Sequence, residues 1–117
     1  MAIKASKRIE TFPSGAIRGG DEKSRLDLLP PWALLRLGDH FREGAKHYGD
    51  RNWEKGMPLS RFYAAAMRHL LQWWGGQDDE DHLVAALWNV LCLLETEERV
   101  RKGILPEKLN DRPPRTL

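Results

Sequence analysis

Apolar residues recur at helical spacing in three stretches of the chain, and this spacing predicts three α-helices. The first is expected to begin after Pro30-Pro31, because a proline in the first helical turn gives up an N–H that has no partner there anyway. It is expected to end at Gly49-Asp50, with Trp32, Leu35, Phe41, Ala45 and Tyr48 on one face. Arg36, Asp39, His40, Arg42, Glu43 and His47 fall largely elsewhere, and Gly38 weakens the middle. The second runs from Arg61 to Trp74, with Ser60 as its N-cap and Gly75-Gly76 as its stop. Phe62, Ala65, Ala66, His69 and Trp73 form its apolar stripe. The third opens among Asp79 to Asp81, whose carboxylates suit the positive end of a helix dipole, and continues to about Glu98. Its stripe is His82, Ala85, Ala86, Asn89 and Leu93, and no stretch alternates as a strand.

The expected fold is therefore all-α, a bundle of three main helices joined antiparallel by short loops. Residues 1–20, with Pro13, Gly15, Gly19 and Gly20, read as a flexible arm before a helical domain at 21–102. Residues 103–117, with Pro106, Pro113 and Pro114, read as an extended tail. A chain of 117 residues has room for one core. No apolar run approaches the roughly 18–20 residues of a membrane span, and the basic start Met1–Arg8 leads into no hydrophobic stretch, which argues against a signal peptide. Cys92 stands alone in an apolar run, as a buried structural thiol in a reducing cytoplasm would.

The formal net charge of +2 decides little, because the positive excess lies at the two ends and Asp78-Asp79-Glu80-Asp81 lies in the middle. A nucleic-acid binder would carry a continuous basic stripe, so no direct nucleic-acid contact is expected. More informative are His69 and His82, each set in an otherwise apolar stripe, with Asn89 two turns beyond His82. An unpaired buried polar group costs about 1–3 kcal/mol, so each needs a partner, either in a structural network or in a site. Ala85 and Ala86 beside them leave room for a ligand or a close helix contact. The acidic cluster is at least a solvated loop and a helix cap, and one or two of its carboxylates can turn toward a metal. Oxygen ligands suit Mg²⁺ or Mn²⁺, and histidine would shift the preference to Mn²⁺ or a heavier transition ion. The segment Gly44–Gly56 has the groups that hold a nucleotide: Lys46, Arg51 and Lys55 for phosphate, and Trp53 or Tyr48 to stack on a base. Asn52 could read the base edge, and Glu54 could bind metal or a base amine; the alternative is a solvated loop anchored by tryptophan.

Four blocks of the sequence, in order, resemble the phage dATP/dGTP diphosphohydrolase N-terminal family. Asp21-Glu22-Lys23-Ser24-Arg25-Leu26-Asp27-Leu28-Leu29-Pro30-Pro31 is similar to its D-G-K-x-R-x-D-L-I-P-P opening, and Gly44 to Gly56 to its G-A-K-K-Y-G-D-R-N-W-E-K-G block. Met67-Arg68-His69-Leu70-Leu71 resembles its M-R-H-L-L helix, and His82 to Asn89 its H-L-x-H-x-x-W-N. The resemblance spans roughly residues 20–95 and implies an all-helical, MazG-like nucleotide pyrophosphohydrolase in the cytoplasm of an infected bacterial host. Its substrate would be a purine (deoxy)nucleoside triphosphate, dGTP above all, cut to monophosphate and pyrophosphate. In phages that replace adenine with 2-aminoadenine, the resulting dGMP would feed base synthesis.

The chain departs from the MazG-like pattern of a Glu pair on one helix and E-x-x-D on the next. In that register His69 and Gln72 stand at the first pair, and His82 and Ala85 at the second. Ala85 also replaces a frequent second histidine, the loop before His82 is shorter than usual, and Glu43 sits one place late. The expected metal ligands are therefore Glu43, Glu54, Asp78, Asp79 and His82, holding Mg²⁺ or Mn²⁺, with His69, Glu54 and His82 as catalytic groups. Lys23, Arg25, Lys46, Tyr48, Arg51, Asn52, Trp53, Lys55 and Asn89 are the expected substrate contacts. A homo-oligomer, dimer or tetramer, is expected, because a short helical hairpin cannot enclose a nucleotide. Two rivals stand beside this: an HD-like phosphohydrolase using His69, an Asp and His82, and a non-catalytic regulator binding nucleotide or a host protein.

Overall fold

The computed structural model describes residues 7–114; the first six residues of the expected arm and the last three of the expected tail lie outside the described residues. A hairpin of β1 (Ile9–Thr11) and β2 (Ile17–Gly19) precedes three helices, α1 (Pro31–Tyr48), α2 (Leu59–Trp74) and α3 (His82–Arg101). Short 3₁₀ turns lie at Leu26–Leu28, Asn52–Lys55 and Glu107–Leu109. The all-α expectation holds for the body of the protein. The hairpin was not foreseen: three-residue strands are too short to show alternation, and the register Ile9↔Gly19, Thr11↔Ile17 is set by the turn at Gly15 (φ +90°).

Helix α3 is the shared wall of the bundle. Along one side α2 packs antiparallel over most of its length; α1 rests on another side over a shorter stretch, and α1 and α2 scarcely meet. Such an arrangement buries α3 from two directions, which explains why its buried set is long: His82, Val84, Ala85, Ala86, Asn89, Cys92, Thr96 and Val100. Of the expected α3 stripe, His82, Ala85, Ala86 and Asn89 are buried and Leu93 is half-buried, and the buried set continues through Cys92 and Thr96 to Val100. On α2, Leu59, Phe62 and Ala66 are buried, with Ala65, His69 and Gln72 half-buried; Trp73 is on the open side instead.

The expected face of α1 is displaced. Its buried residue is Leu37, flanked by half-buried Ala33, His40, Phe41, Gly44 and Ala45, while Trp32, Leu35 and Tyr48 are exposed. A helix with one neighbour buries a narrow stripe, so a wide apolar face in the sequence cannot tell which half of it docks. The radius of gyration, 19.2 Å, exceeds the about 13 Å of a globular domain this long. No described helix is long and apolar enough to cross a membrane.

Helix α2 starts at Leu59, one residue beyond Pro58, so Ser60 is inside the helix and is not its N-cap. Asp111, 51 residues downstream, takes that role: Oδ1 accepts the Ser60 backbone N–H at 2.9 Å and Oδ2 accepts the Ser60 hydroxyl. The tail thus turns back rather than running extended. Leu105 and Leu109 lie against Gly56, where a Cβ would stand 2.8 Å from Leu109 Cδ1 and where φ is +83°. The bonds from Ser60 hold the Asp111 carboxyl below its usual range. Because its folded-state pKa is depressed, the stabilisation is full above the ordinary carboxylate pKa and is lost as pH falls through the depressed value. Asp111→Ala should therefore lower the melting temperature by a few degrees at neutral pH, and thermal melts followed by circular dichroism should show the difference closing in strong acid.

Candidate functional site

The loop from α2 to α3 ends on Asp81, which caps α3 by accepting the Val84 N–H at 3.2 Å. The same carboxylate receives a two-pronged bond from Arg36 of α1, at 2.7–3.2 Å, and is held below the usual carboxylate range chiefly by that bond. With the first turn of α3 fixed in this way, His82 enters the interface with α2 and is only 3% exposed. Its Nε2 lies 2.6 Å from Asp79 Oδ1, and its Nδ1 lies 3.0 Å from His69 Nδ1. Glu80 Oε1 stands 3.4 Å from His69 Nδ1 and 3.6 Å from His82 Nδ1. Burial pushes the His69 pKa down, against the pull of Glu80, and the bond to His82 holds Asp79 below the usual carboxylate range. Among the described residues, His69, Glu80 and His82 form the one group of three or more such side chains with ligand atoms close enough to hold a metal ion together.

A second feature lies on the α1 side of α3. A half-open cavity of about 240 Å³ is lined by Phe41, Ala45, Tyr48, Arg51, Asn52, Trp53 and Trp88, among others. Gly49 (φ +85°) ends α1, and Arg51, in the left-handed region at φ +55°, turns the chain into the 3₁₀ turn that carries Asn52 and Trp53. Arg99 lies over the Trp53 ring, 5.0 Å from its centroid, and fixes it from behind. Trp88 is the centre of an aromatic group, with ring centroids 5.8 Å from His40, 6.1 Å from Phe41 and 6.3 Å from Phe62. Trp88 lies six positions after His82, about 9 Å along the helix axis; His82 meets α2, and Trp88 meets His40 and Phe41 of α1 and Phe62 of α2. The His40 ring, on α1, lies beside Trp88.

Residues 14–105 match the family described as dATP/dGTP diphosphohydrolase, N-terminal. The chain belongs to this family. No curated protein and no solved structure matches it. Membership in the dATP/dGTP diphosphohydrolase family implies a hydrolytic activity, and the His–Glu–His cluster is a donor set able to take a divalent ion.

Within this member of the dATP/dGTP diphosphohydrolase family, the structure brings together some of the expected site residues and separates others. His69, His82 and Asp79 meet; Tyr48, Arg51, Asn52 and Trp53 line one cavity. Asp78 is exposed in the loop. Glu43 is bonded to Lys46 and Arg42 on exposed α1, and these cations hold its pKa down. Glu54 lies 3.7 Å from Arg51 and 3.8 Å from Arg99, so it braces the Trp53 turn, away from the histidine pair. Lys55 is exposed and outside the cavity lining. Lys23 donates to the Gly19 carbonyl, and Arg25 pairs with Asp27, both on the exposed stretch before α1. Asn89 is buried, donates to the Ala85 carbonyl within its own helix, and lies outside the cavity lining and the cluster.

Glu80 at the cluster, Trp88 in the cavity lining, and His40 and Arg99 beside its tryptophans were not singled out by the sequence reading. For Trp88 a signal existed, since it sits in the W-N of the fourth block; Glu80 was one of four adjacent acids that only the loop geometry could separate. Cys92 is excluded as a nucleophile, for burial pushes its thiol up to about 12. The native protein should therefore resist a thiol-specific disulfide reagent at neutral pH, and unfolding in denaturant should release one full equivalent of reactive thiol.

Proposed function

We propose that this protein hydrolyses a purine (deoxy)nucleoside triphosphate, dGTP or GTP foremost, to the monophosphate and pyrophosphate, with a divalent metal. What carries the reading is that α3 contributes to both features, His82 to the His–Glu–His cluster and Trp88, about 9 Å further along the helix axis, to the aromatic cavity. Trp53 and Trp88 offer stacking surfaces for the base, Asn52 a hydrogen-bonding edge, and Arg51 a cation at the cavity mouth for phosphate. His69, Glu80 and His82 would hold the divalent ion, and Asp79 would orient His82. Such an ion would offset triphosphate charge and lower the pKa of water. The attacking water would give a proton to solvent as its oxygen bonds to the α-phosphorus, the bond from that phosphorus to the α–β bridging oxygen would break, and pyrophosphate would leave. Glu54, expected as a catalytic acid or ligand, serves here by steadying Arg99 and Trp53.

The 3.0 Å approach of His69 to His82, with Asp79 on the second ring, also favours a second reading, a His/Asp phosphohydrolase. That enzyme would release intact tripolyphosphate or inorganic phosphate, so the leaving group separates the two. Incubating each (d)NTP with Mn²⁺ or Mg²⁺ and resolving products by ion exchange should give a guanine monophosphate plus pyrophosphate; diphosphate plus phosphate would sink the bond assignment. Glu80→Gln should lower turnover more than tenfold and Glu43→Gln less than twofold.

The working form is a homo-oligomer, dimer or tetramer, in the cytoplasm of a phage-infected bacterium. An apolar groove of about 380 Å³, lined by Ala33, Leu70, Leu83, Leu87 and Val90, opens between α1, α2 and α3. With Trp32, Leu35 and Leu71 also exposed, a second copy is the natural cover. Sedimentation should show more than one chain per particle, and Leu87→Glu should yield a folded monomer; a wild-type monomer at all concentrations would remove this part.

A further inference from the structure

We infer that His69, Glu80 and His82 form a three-ligand centre that selects a borderline transition ion, of the Zn²⁺, Co²⁺ or Mn²⁺ class, over Mg²⁺. The inference deepens the proposal above and rests on its reading of the cluster as the metal centre. The three atoms His69 Nδ1, His82 Nδ1 and Glu80 Oε1 form a triangle with sides of 3.0, 3.4 and 3.6 Å. A point equidistant from them lies about 2 Å from each, which matches the about 2.0–2.2 Å bonds of such an ion to imidazole nitrogen and carboxylate oxygen. Two nitrogens and one oxygen are a donor set that Mg²⁺ disfavours, since it prefers oxygen and gives up its waters reluctantly.

The tautomer is also set for ligation. Asp79 Oδ1, 2.6 Å from His82 Nε2, draws the ring hydrogen to that nitrogen and leaves the Nδ1 lone pair facing the triangle. A carboxylate behind a ligating histidine in this way both fixes the ring and strengthens it as a donor. A purely structural histidine pair would need one hydrogen bond between the rings; it would not need a glutamate oxygen within 3.6 Å of both nitrogens. Burial distinguishes the two sides of the centre. His82 is enclosed, whereas Glu80 is half-exposed, so the remaining coordination positions face solvent, as in sites that bind a substrate oxygen.

The test uses the full chain stripped with chelator and titrated with Co²⁺, Zn²⁺, Mn²⁺ or Mg²⁺ alone, without nucleotide. Calorimetry should give one ion per chain for the transition ions, with Mg²⁺ at least about 100-fold weaker, and Co²⁺ should show a visible ligand-field band that Zn²⁺ displaces. His69→Ala and Glu80→Gln should abolish the band. Asp79→Asn should keep the stoichiometry and weaken binding about 10–100-fold. Glu80 is exposed, so Glu80→Gln keeps the test open if a histidine variant fails to fold. Co²⁺ binding unchanged in folded Glu80→Gln, or Mg²⁺ bound as tightly as Zn²⁺, would overturn the inference. Tight Co²⁺ binding by a protein that cleaves no (d)NTP would uphold the centre and overturn the proposed hydrolysis instead. Cleavage by wild type with no transition-ion binding would do the reverse.

Discussion

The starting point of α3 is the constraint on which the rest of this protein depends. Asp81 meets two demands at once, satisfying an orphan N–H at Val84 and receiving both prongs of Arg36. As an ion pair alone this contact is worth little, about 0–1 kcal/mol, because both side chains are substantially exposed. Its importance is positional. It ties α1 to the first turn of a helix that α2 also packs against, and it fixes where the loop stops. A helix that began one residue later would rotate His82 by about 100° and take it away from His69.

From that anchor the chemistry and the packing use the same residues. Ala85 and Ala86 let α3 approach its neighbours closely, and His82 and Asn89 can be buried beside them because each has a partner: Asp79 and His69 for one, the Ala85 carbonyl for the other. Further along, Trp88 closes the aromatic cavity from below while Arg99 holds Trp53 from behind. The Thr96 hydroxyl and the Gln72 carbonyl oxygen are buried without a hydrogen-bond partner, so this wall is not fully satisfied by its own side chains.

Periodicity and family blocks made the helical body legible, because long amphipathic stretches closed by Pro and Gly leave few alternatives. His69 and His82 were visible as polar residues in apolar stripes that each needed a partner, though not that they would meet each other. Less legible was everything set by a distant partner. The α1 face could not be chosen from its own residues, since Trp32 and Leu37 satisfy the same pattern and only docking on α3 separates them. Glu80 and Asp79 are neighbours of like chemistry, and the loop sends one toward both Nδ1 atoms and the other to Nε2. Glu43 and Glu54 looked equivalent to them until the nearby cations were known.

Ser60 shows the same limit and has a consequence for how the chain is made. The group that completes the first turn of α2 is Asp111, supplied 51 residues later. On a ribosome, α2 and α3 can pair as a local antiparallel unit while that turn is still open, and its free N–H groups must be served by water until the strap arrives. Maturation of the Trp53 turn, held by Leu105 and Leu109 against Gly56, is then a late event of synthesis. The histidine end of the bundle can be assembled before the aromatic end has its final shape.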